Sequence, residues 1–412
     1  MAVLGVDFGT SNSAVGMCVD GQAKLIPLEP GETTLPTAVF FDFDQRQVVY
    51  GRPANEALIA GDEGRYMRAL KSLLGTSLMR ERRKVMNESV DFVVIVGRFL
   101  AEMKKRAEAA TGQTFDRALS GRPVMFHSAD PARNAQALVD LTDCYLAAGF
   151  KDVSFMPEPE AAALANRSVL SAGDLGLIVD IGGGTSDFTL FRQDAGTGID
   201  ILASHGLRVG GTDFDRALSL AFVMPELGMG SPIRHAFGDQ THIAPNAIFN
   251  DLATWQKIPF LYAPDTRRAA QDLAQHAVEK SRLERLVRVL NEEVGHDMAF
   301  AVEAAKIDAN SAAAAIPEFR LDMVEKGLRL PLYPVAMTAT LNKMADQIGD
   351  AAHACLEQAD VSPEDVTRII FVGGTSLMQV VETALIARLP RAQVHRGAAM
   401  TAIVEGLALA AR

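Results

Sequence analysis

Cysteine is scarce in this chain. Cys18, Cys144 and Cys355 are the only three, they lie far apart, and no C-x-x-C pair occurs. Zinc ribbons and thioredoxin-like redox motifs are excluded on that ground. An odd, sparse set does not suit a disulfide-built secreted scaffold either, and points to a reducing compartment. Histidine is equally uninformative: the eight residues are scattered without an H-E-x-x-H pattern, so no zinc site is expected. Basic charge is in deficit, with Lys+Arg 40 against Asp+Glu 51 and a formal net charge of −11. Such a chain repels a phosphate backbone over most of its surface, so nucleic acid is not an expected partner. Long apolar runs are missing as well. The longest candidates, 369–372 and the alanines at 312–315, fall far short of the ~20 residues that span a bilayer. The N-terminus, MAVLGVDFGTS, has neither a basic region nor a long apolar one and does not read as a signal peptide. The expectation is a cytoplasmic globular protein without a membrane partner.

What is present suits that class. The chain has 412 residues, 48% hydrophobic and 22% charged, enough for two to four domains with sizeable cores. The stretch Ala2–Phe8 reads as a strand, stops at the turn formers 9–13, and resumes at Ala14–Val19. The same pattern returns at 176–191. Asp7-Phe8-Gly9-Thr10-Ser11-Asn12 and Asp180-Ile181-Gly182, followed by Thr185-Ser186-Asp187, look like two copies of one hairpin. Two copies do not make a solenoid; they suggest two similar lobes, each opening with a hairpin. Between and after them the apolar spacing predicts helices over Asn55–Ile59, Tyr66–Leu74, Val96–Ala110, Arg133–Ala148, Pro159–Asn166, Asp213–Met224, Leu273–Leu290, Met298–Ala315, Met337–Gln358 and Met400–Ala411. Short strands are predicted at Pro123–Phe126, Val153–Met156 and Val366–Val372. Alternating strands and helices indicate an α/β chain with sheets covered by helices. The segment 225–265, rich in Pro, Gly and His, is the least readable, and reads as an insertion or a partner surface around Trp255. The basic run Arg80–Lys84 reads as a solvated helix face.

The hairpins carry chemistry. A turn of small residues exposes backbone N–H groups with no side chains in the way and can wrap phosphate oxygens. Thr10, Ser11, Thr185 and Ser186 add hydroxyl donors. Asp7 and Asp180 end the strands, where carboxylates can hold Mg²⁺ directly or through its waters, and Asp187 is a third carboxylate nearby. Either hairpin alone would pass for an ordinary β-turn; the repetition favours phosphate binding. Neither is a Walker A loop or a G-x-G-x-x-G dinucleotide loop.

These turns resemble phosphate loops one and two of the actin-like ATPases, and more narrowly those of the seventy-kilodalton heat-shock chaperones of DnaK type. Further stretches carry the narrower resemblance. Residues 69–75 resemble the family's lysine segment, with Lys71 at its catalytic lysine. Residues 158–165 resemble its Glu-Pro-Thr-Ala-Ala-Ala-Leu-Ala, with Glu158 at the catalytic glutamate. Gly210-Gly211-Thr212-Asp213-Phe214-Asp215 resembles Gly-Gly-Glu-Asp-Phe-Asp. Residues 303–311 resemble the nucleoside-binding helix, with Glu303 and Lys306 one turn apart and Asn310 beyond them. Gly373-Gly374-Thr375 resembles the adenosine loop. The matches keep the family's order from residue 5 to about 376.

The resemblance implies an actin-like ATPase fold of two lobes, each with a core mixed sheet flanked by helices plus a smaller subdomain. Lobe I is expected over 1–172, with its core at 1–37 and 117–172 and its subdomain at 38–116. Lobe II is expected over 173–390, with its core at 173–215 and 297–390 and its subdomain at 216–296. The segment 391–412 is expected to pack back on lobe I. The implied ligands are ATP or ADP with Mg²⁺. Lys71, Glu158, Asp180 and Thr185 would be catalytic, and Asp7, Asp180 and Asp187 would serve the metal. Gly9, Thr10, Ser11, Asn12, Gly182, Gly183, Gly184, Thr185, Gly210, Gly211, Glu303, Lys306, Asn310, Gly373, Gly374 and Thr375 would hold the nucleotide. Ser11 stands for the family's second Thr, Thr212 for its Glu, and Leu377 for an Arg that flanks the adenine. The segments 123–131 and 399–401 also depart from the family's pattern. The acidic-leucine linker and peptide-gripping β-sandwich have no counterpart in these 412 residues. The expected function is ATP binding and slow hydrolysis by a chaperone-like protein, with protein clients or co-chaperones as its partners. A small-molecule kinase, a non-catalytic nucleotide-responsive module and a filament former remain the alternatives on this fold.

Overall fold

A computed structural model describes residues 2–127, 129–169, 171–194, 199–234, 240–311, 315–396 and 400–411. The expected features at the alanines 312–314, in the loop 195–198 and at Ala399 lie outside the described residues. The chain forms two compact units, one of residues 1–211 with 345–412 and one of residues 212–344. The expected lobe boundary at 172 and 173 falls inside the larger unit, between its two sheets.

The larger unit holds the same sheet twice. In the first, the strand order is Asp152–Pro157, Arg117–Arg122, Val3–Phe8, Asn12–Val19, Gln22–Ile26, with Thr34–Pro36 paired to Asn12–Val19. In the second, Gln393–His395, Val366–Val372, Leu175–Ile181, Ser186–Gln193 and Ile199–Leu207 follow one another. Each central strand is antiparallel to the next strand in sequence and parallel to its other neighbour. The repeated hairpin of the sequence is therefore the seed of a repeated sheet. Central strand Leu175–Ile181 is buried along its whole length, as expected for a strand covered on both faces, yet it carries Asp180. A smaller sheet pairs Ala38–Asp42 with Gln47–Tyr50 and Gly64–Arg68.

Helices Glu158–Ala165 and Ala402–Ala410 pack against each other in one core with Ile178, Phe191, Ile370 and Val372. Their approach is so close that a Cβ on Gly406 would lie 1.8 Å from the carbonyl oxygen of Ala161. On its other side the C-terminal helix meets the first sheet, where a Cβ on Gly5 would lie 2.9 Å from the Ala408 nitrogen. One helix thus fixes strand Val3–Phe8, which carries Asp7, against helix Glu158–Ala165, which starts at Glu158.

The smaller unit contains helices Pro264–His276, Lys280–Asn291 and Gly295–Asn310. Two hairpins accompany them, Pro232–Arg234 with Thr241–Ile243 and Glu318–Arg320 with Arg329–Pro331. Trp255 is buried against Phe300 and His296, so it belongs to a core rather than to a partner surface.

Several expected elements differ. Tyr66–Leu74 is not a helix: Gly64–Arg68 is a strand, Ala69 turns at φ 58°, and Leu70–Leu73 is a single 3₁₀ turn. The strand expected at Pro123–Phe126 lies at Arg117–Arg122 instead. Leu273–Leu290 is two helices, because Ala277 bridges to Ile233 and the Val278 N–H donates to the Pro232 carbonyl at 3.0 Å. The helix expected over Asp213–Met224 is α-helical only through Leu218 and then loosens into π and 3₁₀ turns. Arg80–Lys84 is no helix face; Arg80 ends a 3₁₀ turn and pairs with Asp140 and Asp143 at 2.8 and 2.6 Å.

Candidate nucleotide and phosphate site

The two hairpin turns face each other. A Cβ on Gly183 would lie 2.7 Å from Ser11 Oγ and 3.0 Å from Thr10 Cβ, so only glycine backbone fits between them. The first turn is braced from below by Thr37, which is fully buried. Its hydroxyl donates to the Gly9 carbonyl at 2.9 Å and lies 2.8 Å from Ser13 Oγ, while its N–H donates to the Ser11 carbonyl at 2.9 Å. The second turn closes on itself through Gly182 N–H to the Thr185 carbonyl at 3.0 Å.

The other glycine pairs close around the second turn. The Gly211 N–H donates to the Gly182 carbonyl at 2.9 Å, and a Cβ on Gly210 would lie 2.5 Å from the Gly184 nitrogen. Thr375 Oγ1 donates to the same Gly182 carbonyl at 3.2 Å, and Gly373, at φ 78°, sits where a Cβ would lie 2.4 Å from the Ile181 carbonyl. Four segments predicted separately from sequence, 9–12, 182–185, 210–211 and 373–375, are therefore brought together. Asn12 begins the strand that leaves the first turn.

The charged groups lie beneath these turns. Lys71 Nζ meets Glu158 Oε1 at 2.6 Å, both side chains less than a tenth exposed. Glu158 sits in the first turn of its helix, between Pro157 and Pro159, where the helix dipole favours a carboxylate. Asp180 and Asp187 are register partners in the second hairpin. Asp187 accepts the Val124 N–H at 2.7 Å, while its Oδ2 is buried without a hydrogen-bond partner.

Electrostatics follow from this crowding. Burial, then the Glu158 charge, pushes Asp7 up to about 7 against the pull of Lys71. Asp187 is also pushed up to about 7, by burial and then Glu158, against hydrogen bonds from Val124 and Thr185. Asp180 is raised well above the carboxylate range by burial, then Glu158, Asp187 and Asp7. Burial would pull Lys71 down, but Glu158, Asp7 and Asp180 overcome it and hold the ammonium above its ordinary range. Four carboxylates thus crowd one ammonium, and burial drives the three aspartates towards their protonated forms.

Among the described residues no three His, Cys, Asp or Glu side chains converge closely enough to cage a metal. The residues instead fit a hydrated divalent ion. Mg²⁺ keeps several waters and takes only one or two carboxylates plus substrate phosphates. The orphaned Oδ2 of Asp187 and the raised carboxylates beside it are the groups such an ion would satisfy.

A cleft beside the turns is lined by Thr10, Lys71, Ser72, Thr185, His127 and Arg208, among others. Ser72, His127 and Arg208 were not singled out from sequence. The one signal was the position of Arg208 two residues before Gly210-Gly211.

Glu303, Lys306 and Asn310 lie on helix Gly295–Asn310 of the smaller unit. Lys306 is buried and its Nζ pairs with Asp215 Oδ1 at 2.7 Å, so its charge is engaged within that unit. Leu377 ends the 3₁₀ turn that begins at Gly374 and is 42% exposed.

A family model described as Hsp70 protein matches residues 3–94 and 82–228. The chain is 28% identical over 399 residues to the chaperone protein DnaK of Endomicrobium trichonymphae, covering 92% of this chain and 61% of that protein. It is 25% identical over 386 residues to DnaK of Cenarchaeum symbiosum (strain A), covering 92% and 49%. It is 33% identical over 223 residues to DnaK of Thermoplasma acidophilum, covering 52% and 34%. The chain thus spans about half to three-fifths of the length of the first two relatives. No helix among the described residues is long and apolar enough to cross a membrane.

Proposed function

The chain belongs to the Hsp70 protein family and has its actin-like ATPase fold, and from that premise we propose that it binds ATP with Mg²⁺ and hydrolyses it slowly. The observation that carries this reading is the meeting of the two hairpin turns over the Lys71–Glu158 pair, with Gly183 held against Ser11 and Thr10.

Phosphoryl transfer to water asks the protein for positioning and charge more than for reaction. Backbone N–H groups of 9–12 and 182–185, with the hydroxyls of Thr10, Ser11 and Thr185, take the phosphate oxygens. Asp7, Asp180 and Asp187 order water and the waters of the hydrated metal. Mg²⁺, when bound, offsets charge on the β- and γ-phosphate oxygens. Lys71 neutralises charge developing on the transferred group, and Glu158 fixes its direction through the 2.6 Å contact. The adenosine is assigned to Gly373, Gly374 and Thr375. A chaperone role, the description its DnaK relatives carry, is part of the same proposal, with client or co-chaperone proteins as partners and a cytoplasmic setting.

Titration calorimetry with ATP and ADP, each with and without Mg²⁺, tests the binding half of this reading. Saturable, Mg²⁺-dependent heats are expected; no heat with either nucleotide would defeat it.

A further inference from the structure

The first phosphate turn, residues 9–12, is held by a residue that lies outside it. Thr37 follows strand Thr34–Pro36, which pairs with the start of Asn12–Val19. The residue is fully buried. Its hydroxyl donates to the Gly9 carbonyl at 2.9 Å, and its N–H donates to the Ser11 carbonyl at 2.9 Å. A carbonyl only accepts, so the single Thr37 hydroxyl proton points at Gly9. The 2.8 Å contact with Ser13 Oγ is then donated by Ser13, which is buried as well. The chain of donation runs from Ser13 to Thr37 to Gly9.

This grip decides which way the turn's N–H groups face. A trans peptide is planar, with its C=O and N–H pointing in opposite directions. No peptide bond among the described residues is cis. Drawing the Gly9 carbonyl towards Thr37 therefore turns the Thr10 N–H away from Thr37. Drawing the Ser11 carbonyl does the same to the Asn12 N–H. Glycine adopts either hand of φ, so Gly9 does not by itself fix the peptide plane that follows it. Thr10 lines the cleft beside Lys71, and Thr10 and Ser11 face Gly183. N–H groups turned together out of a tight turn form a concavity for anions, whereas a flipped peptide would present a carbonyl oxygen to them.

Resting on the ATPase reading, we propose that Thr37 is a positioning residue for the phosphate chain. Through two carbonyls it presets the Thr10 and Asn12 N–H groups towards the phosphate oxygens, and it touches no phosphate itself. The nucleotide then meets a turn that is already ordered, which raises affinity without adding a contact. Ser13 steadies the Thr37 hydroxyl but does not hold the turn.

The test is calorimetric titration of the full chain with Mg·ADP and Mg·ATP, beside the melting midpoint without nucleotide. Thr37→Val keeps the shape and the main-chain N–H and removes only the hydroxyl. It is expected to weaken both nucleotides by about tenfold. Thr37→Ser restores the hydroxyl and should bind within about threefold of the wild type. Ser13→Ala removes the donor to Thr37 and leaves the bond to Gly9. It should lower the melting midpoint, as Thr37→Val does, yet bind both nucleotides within about threefold of the wild type. A merely structural role would not produce that split. Thr37→Cys, close in size and with only a weak S–H donor, carries the same comparison if Thr37→Val does not fold. Thr37→Val binding within about threefold of a wild type that binds, or Ser13→Ala weakened as much as Thr37→Val, overturns this proposal alone. A wild type that binds neither nucleotide overturns the ATPase reading and this proposal with it.

Discussion

Consider the removal of Lys71 by Lys71→Met, a neutral side chain of similar reach. The ammonium is 8% exposed and 2.6 Å from Glu158, itself 7% exposed. Its loss leaves Glu158 buried beside Asp7 and Asp180 with no cation. Breaking such a pair from one side costs about 3–5 kcal/mol, because the remaining charge stays uncompensated. In a unit this large that corresponds to a fall of roughly 5–15 °C in the unfolding midpoint of the nucleotide-free protein. Glu158→Gln acts differently. It removes one of four crowded carboxylates, keeps an oxygen for Lys71, and relieves the repulsion that raises Asp7, Asp180 and Asp187. Its expected cost is about 1 kcal/mol or less. The double variant should then lie close to Glu158→Gln, well above Lys71→Met. Differential scanning calorimetry of the four proteins without nucleotide reads the cycle. A midpoint for Lys71→Met within about 2 °C of wild type, or a double variant that falls by the sum of the singles, refutes the reasoning.

The carboxylates make stability pH-dependent with a definite sign. Asp187 has a folded pKa of about 7 against an ordinary value of 3.8, so the folded state holds a proton that the unfolded state releases between those values. Its contribution is fully present below the ordinary value and is lost as pH rises to about 7, with a total of about 4 kcal/mol. Asp187→Asn should flatten the fall of the nucleotide-free melting midpoint between pH 5 and pH 7, measured by calorimetry across that range. For the helix pair, Gly406→Ala puts a methyl 1.8 Å from the Ala161 carbonyl oxygen, which is backbone and cannot swing aside. It should destabilise by about 1–3 kcal/mol by overpacking and reduce turnover by displacing Glu158, both measurable by chemical denaturation and phosphate release.

The hairpins were legible because turn chemistry is local: Asp, Gly and Thr in that order specify their own geometry, and their repetition exposed the duplicated sheet. Lys71 was placed by resemblance, but its surroundings were not. The apolar spacing of 66–74 suits a helix, yet Tyr66 and Met67 pair with Phe40 and Val39 in a sheet, and Ala69 then turns the chain. Partners distant in sequence decided that segment. The strand Arg117–Arg122 was hidden by its polar residues RALSGR; Pro123 follows it, and the next residue, Val124, gives its N–H to Asp187. The break at Ala277 is equally non-local, since Pro232 and Ile233 draw the chain out of the helix. His127 and Arg208 carry no local motif, and only the fold brings residues 81 positions apart into contact.

ATP hydrolysis at the Lys71–Glu158 site is tested most directly by γ-phosphate release from Mg·ATP, wild type against Lys71→Ala, with no added acceptor. Slow release by the wild type that is lost in the variant is the predicted result. Equal, negligible release from both proteins would contradict it.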